Sequence, residues 1–174
     1  MKSLASLFFT ALLFLASESF AQQETIDYCE REATAEKTKK ELKPYRYSGA
    51  KIKKLKIKEY NQIQETVIEM LYDTKYKIIF NRSGVPDGQT VDVIIYDKPY
   101  GKRNREIVWK STDGQDLIEL ETESLEGEYD KLYVEYEMPA YEKEVPDGVR
   151  IAGCMVMTIG YDNMTFHTDR GSED

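Results

Sequence analysis

From Gly49 onward apolar and polar positions alternate in short runs, and Val, Ile and Tyr cluster between turn residues, which is the period of β-strands. The pattern predicts eight strands, near 51–59, 63–72, 75–82, 90–97, 105–110, 116–122, 129–138 and 149–161. Turn chemistry sets the breaks, at Asp73-Thr74, Ser83 to Gly88, Asp113-Gly114, Glu126-Gly127 and Pro146-Asp147-Gly148. Strands joined without intervening helices favour an antiparallel β-sandwich or barrel, assigned here to residues 45–162, with 163–174 as a tail. Ahead of them residues 22–44 read as one helix. Glu24 to Leu42 lacks Gly and Pro, Thr25 is placed to cap it, Ile26, Cys29 and Ala33 form a thin apolar stripe, and Pro44 closes it.

Two strands are poor in charge on both faces. In 149–161, Ile151, Met155, Met157 and Ile159 point one way, and Ala152, Cys154 and Val156 the other; in 90–97, Val91, Val93 and Ile95 oppose Ile94 and Tyr96. One face of such a strand meets the second sheet and the other needs its own cover. Because Cys154 points away from the Met155/Met157 face, a bond to Cys29 would pin the helix across the outside of that sheet.

That bond is expected from the compartment. Residues 1–21 read as a signal peptide, with Lys2 as the positive region, Leu4 to Leu15 as the apolar core, and Ser19-Phe20-Ala21 as a small-x-small cleavage site. The apolar run is too short to span a bilayer, and no later segment is apolar enough for a transmembrane anchor. The chain is therefore expected in the periplasm or outside the cell, where its only two cysteines, Cys29 and Cys154, would pair as a disulfide. At 174 residues, 153 after cleavage, and with 41% hydrophobic residues, the chain fits one domain with a real core.

The runs Tyr76 to Phe80, Val91 to Asp97 and Tyr129 to Val134 resemble core strands of the bacterial pre-peptidase C-terminal type β-sandwich. The arrangement is similar to small exported bacterial proteins in which a Cys-bearing helix precedes such a sandwich and a late strand reads like Gly153 to Tyr161. The resemblance covers most of residues 26–161 and implies a noncatalytic accessory or binding domain, with no catalytic motif to carry over.

Enzyme chemistry finds little purchase. His167 is the only histidine, lies past the last strand and has no G-x-S-x-G before it, so no catalytic residues are assigned. Gly-rich phosphate loops are absent, and carboxylates are too abundant for any pair to stand out as hydrolytic acids. Asp87, Asp92, Asp97, Asp113 and Asp116 sit near turns of an acidic exported chain, which raises calcium, but Asp before Gly is ordinary turn chemistry and no metal or other cofactor is assigned. The repeated Val-Pro-Asp-Gly at 85–88 and 145–148 is likewise a turn signature, not a duplication. Trp109 and the 13 tyrosines pack well on pleated surfaces, and core packing is the expectation for them.

Charge is more informative. The net charge of −8 argues against nucleic acid as a partner, yet residues 37–58 carry a local balance of +9. Lys51, Lys53, Lys54, Lys56 and Lys58 fall in a single strand. They either guard a sheet edge and pair with the acidic run Glu119, Glu121, Glu123, Glu126 and Glu128, or form a patch for an anionic glycan or envelope surface. The reading that follows is a noncatalytic binding or accessory module of the cell envelope, with a glycan or protein as partner. Its alternatives are a small carboxylate-dependent hydrolase and a structural envelope protein without a small ligand.

Overall fold

The computed structural model describes residues 24–111 and 115–163; residues 1–21, read above as a signal peptide, Asp113 and the segment bearing His167 lie outside the described residues. The chain forms a mainly β structure of two sheets. One sheet holds β1 (Glu24–Asp27), β2 (Arg46–Lys56), β4 (Thr74–Gly84), β7 (Leu117–Glu121) and β9 (Val149–Asn163). The other runs in the order β3 (Gln62–Glu69), β8 (Lys131–Met138), β5 (Asp92–Tyr96) and β6 (Ile107–Lys110). Each of the eight anticipated strands is present, and every pairing is antiparallel except β1 with β9.

Strand parity builds the core. Met155 and Met157 of β9 and Ile78 and Phe80 of β4 face Val93 and Ile95 of β5 and Leu132, Val134 and Tyr136 of β8, all buried. Trp109 stacks on Phe80 at 6.4 Å between ring centroids, and Tyr136 meets Phe80 edge-on. Trp109 is thus held against the core.

The expected helix 22–44 is shorter, and its first residues are a strand. Gly84 of β4 is opposite Cys154, so the β9 edge beyond it lies open, and Glu24–Asp27 pairs there in parallel with Val149–Ala152. The Ala152 carbonyl accepts from Tyr28 N–H, whereas the preceding Ile151 carbonyl accepts from Ile57 N–H just past β2. Successive carbonyls of a strand point to opposite edges, so β1 continues the column of β4 and β2 flanks β9 on the other side. Backbone pairing overrides the helical propensity of four exposed residues.

Helix α1 then spans Arg31–Lys40, with Glu30 and not Thr25 at its N-cap. It lies on the outer face of the first sheet, against β9 and β4. Its buried face is Thr34 and Thr38, continued by Leu42, in place of the expected Ile26/Cys29/Ala33 stripe. Thr38 Oγ1 donates to the Thr34 carbonyl at 2.7 Å and accepts from Asn81 Nδ2 at 3.2 Å. Gly160 permits the approach: a Cβ there would stand 2.9 Å from Tyr45 Cβ and 3.0 Å from Leu42 Cδ2. A Cys29–Cys154 disulfide, with Cα atoms 5.2 Å apart, ties the start of this cover to β9. No helix among the described residues is long and apolar enough to cross a membrane.

Candidate functional site

Beneath the end of β2 the sandwich opens into a cleft of about 630 Å3. Its cations are Lys56, Lys58 and Arg150, set against one lining carboxylate, Glu59. Tyr60 and Tyr141 supply aromatic surface, and Ile57, Val145 and Ile151 part of the apolar wall. Backbone bonds fix each wall. Ile57 N–H donates to Ile151 C=O at 3.1 Å, Tyr141 N–H to Lys58 C=O at 2.9 Å, and Val149 N–H closes the Pro146–Val149 turn at 3.0 Å. Arg150 arrives opposite Thr25 of β1, so the N-terminal strand forms part of the site.

Only two of the five lysines singled out from the sequence reach this cleft. Lys51 and Lys53 have the same parity as buried Leu55 and lean across the seam between the sheets. Their ammonium groups donate to the Val67 and Glu65 carbonyls of edge strand β3, at 2.7 and 3.1 Å. Lys54 is exposed and has the opposite parity. The anticipated acidic partner is elsewhere: β2 and β7 lie on opposite sides of their sheet, Glu119 pairs with Lys77 at 2.7 Å, and Glu123 pairs with Lys75. Arg150, Tyr60 and Tyr141 were missed because they come from three chain segments that only the register of β9 and the loop before it bring together.

A second cluster covers the outer face of the other sheet. The β5–β6 connection folds back so that Arg105 lies 3.4 Å above the Tyr96 ring and bridges two acids, Glu135 at 2.6 Å and Glu65 at 2.8 Å. Arg105 Nε also donates to the Lys98 carbonyl, and Tyr100 N–H donates to Glu65. Asp97 anchors the loop base by accepting from Glu106 N–H at 2.7 Å, which with Lys98 holds its carboxyl below the ordinary range. Glu137 neighbours Glu135 on the same face. Burial first, then a hydrogen bond and repulsion from Glu135, push its carboxyl above the usual value despite Lys110. This is the carboxylate pair that abundance hid in the sequence. Its inner member is 2% exposed and already held by Arg105, an arrangement that clamps a loop to a sheet.

Among the described residues no three His, Cys, Asp or Glu side chains converge to hold a metal ion. Asp92 sits on β5, Asp97 is engaged with Glu106, and the Asp116 carbonyl accepts from Arg82 N–H. No family model matches the chain, and neither curated proteins nor solved structures give a significant match.

Proposed function

We propose that the protein is an exported, noncatalytic binding module of the cell envelope that takes an anionic ligand, a glycan or an acidic protein surface, in the cleft of Lys56, Lys58 and Arg150. The observation that carries this reading is a local excess of cations around two tyrosines in a chain whose net charge is −8. Within a Debye length, about 10 Å at 0.1 M salt, a ligand responds to the local charge more than to the total. Tyr60, 61% exposed, offers a ring face to a sugar or an aliphatic stem. Removal of residues 1–21, location in the periplasm or outside the cell, and kinship with the pre-peptidase C-terminal type of sandwich belong to the same proposal; the disulfide fits an oxidising compartment.

Heparin chromatography of the mature chain, followed by a glycan array, tests it. Retention at low salt that falls as salt rises, and is lost in the Lys56→Glu/Lys58→Glu/Arg150→Glu variant, is the expected result. A wild-type chain that passes an anionic column at low salt overturns it.

A further inference from the structure

The opposite end of the sandwich carries a cavity of the opposite sign. It measures about 410 Å3 and lies between the β3–β4 turn and the segment leading from β7 into β8. The turn presents Leu71 and Tyr72, which at 72% and 80% exposed are the most exposed large hydrophobic residues described. Leu125 and Tyr129 line the facing wall. Exposed apolar side chains at the mouth of a concave site mark a surface that gains by being covered.

The walls are preorganised. Leu71 N–H donates to the Tyr76 hydroxyl at 3.0 Å, Met70 N–H to the Asp130 carbonyl at 2.9 Å, and the Tyr129 hydroxyl to the Glu126 carbonyl at 2.6 Å. Of the lining charges, Lys75 and Glu123 pair with each other. Asp73, Glu128 and Asp130, all exposed, have no ion-pair partner among the described residues and leave a negative rim.

This combination selects among ligands. Three unpaired carboxylates repel anions, and an apolar floor repays only a ligand with apolar body. A bare metal ion is a poor fit, because the acids do not converge as a ligand set. Tyrosine faces beside a solvent-exposed negative rim suit a cation whose charge is spread over carbon. We propose that the cavity between Tyr72 and Tyr129 binds a soluble organic cation, an ammonium group carried on an apolar ring or chain. The site shares no residue with the basic cleft and stands or falls independently of it.

Benzyltrimethylammonium is a suitable probe, titrated into the 15N-labelled mature chain with benzyl alcohol and benzoate as neutral and anionic counterparts. Saturable shifts confined to the amides around Leu71, Tyr72 and Tyr129 are expected, weaker with the alcohol and absent with benzoate. Tyr72→Ala should weaken binding by roughly fivefold or less, the scale of one exposed cation–π contact. Asp73→Asn/Glu128→Gln/Asp130→Asn, which preserves shape, should erase the preference for ammonium over alcohol. Equal binding of the three probes, or shifts spread over the whole surface, overturns the proposal. So does an ammonium preference that survives in the neutralised variant, which also serves as the test should Tyr72→Ala fail to fold.

Discussion

The Lys51 ammonium on β2 donates to the Val67 carbonyl on β3 at 2.7 Å, so a side chain of one sheet caps the open backbone edge of the other. Lys53 repeats the contact at Glu65. Edge strands with unpaired carbonyls invite pairing with other chains, and an ammonium on each second carbonyl blocks that route. The basic strand therefore divides in two by surroundings, Lys51 and Lys53 on the edge of β3 and Lys56 and Lys58 in the cleft proposed to bind an anion. Lys51→Ala/Lys53→Ala is expected to lower stability by about 1–2 kcal/mol in urea titrations and to leave heparin retention unchanged. Lys56→Ala/Lys58→Ala/Arg150→Ala should do the reverse, with stability within about 0.5 kcal/mol of wild type. Equal loss of retention in both variants would place anion binding along the whole strand.

That division marks where sequence reasoning stops. The alternation of apolar residues in 75–82 and 149–161 made the strands legible, and the double-sided apolar character of 149–161 required a cover that α1 provides. Glu24–Asp27 carries no such alternation, and only the vacancy on the β9 edge beyond Gly84 makes it a strand. Lys51 and Lys56 look alike in sequence because their different surroundings depend on which of them β3 passes. Arg105 reads as one more surface cation until the β5–β6 connection turns it onto Glu135, 30 residues away.

Gly153 and the disulfide share one crowded position. A Cβ on Gly153 would stand 2.5 Å from the Gly84 carbonyl oxygen and 2.9 Å from Pro86 Cδ. Gly153→Ala should cost about 1–3 kcal/mol, because backbone must move, whereas Gly49→Ala meets nothing within 4 Å and serves as the neutral control. Cys29→Ala/Cys154→Ala should lose about 2–5 kcal/mol. Denaturant curves compare the three directly, and a Gly153→Ala chain as stable as wild type would contradict the close approach.

Thr158 lies fully buried on the outer face of β9, and its hydroxyl has no hydrogen-bond partner among the described residues. Valine has the same shape without the stranded polar atom. Thr158→Val is expected to raise stability by about 1 kcal/mol, read as a higher melting temperature by circular dichroism. A lower one would mean that the hydroxyl is satisfied.

Arg105 supplies the positive charge that touches both Glu135 and Glu65. Arg105→Ala leaves Glu135 buried without that charge and should cost about 3 kcal/mol. Adding Glu135→Gln should recover part of the loss, since the unpaired charge is the larger component. A double-mutant cycle measures the coupling, and additive losses would show that the bridge contributes nothing.

The pH dependence of stability should carry the signature of Glu137. Its carboxyl is held above the ordinary 4.5 by burial and by Glu135, so between the unfolded and folded values the native chain binds more protons than the unfolded one. Stability then falls as pH rises through that window, and the full penalty persists above the folded value. Paired acids such as Asp97, held low by the Glu106 amide, act in the opposite sense and at lower pH. Glu137→Gln removes the titration while keeping a donor for Glu135. The variant should match wild type below the unfolded carboxylate range and exceed it at neutral pH, with the difference growing between the two. Urea denaturation from pH 3 to 7 reads this directly; a difference that shrinks with rising pH would reverse the sign and place the proton elsewhere in the cluster.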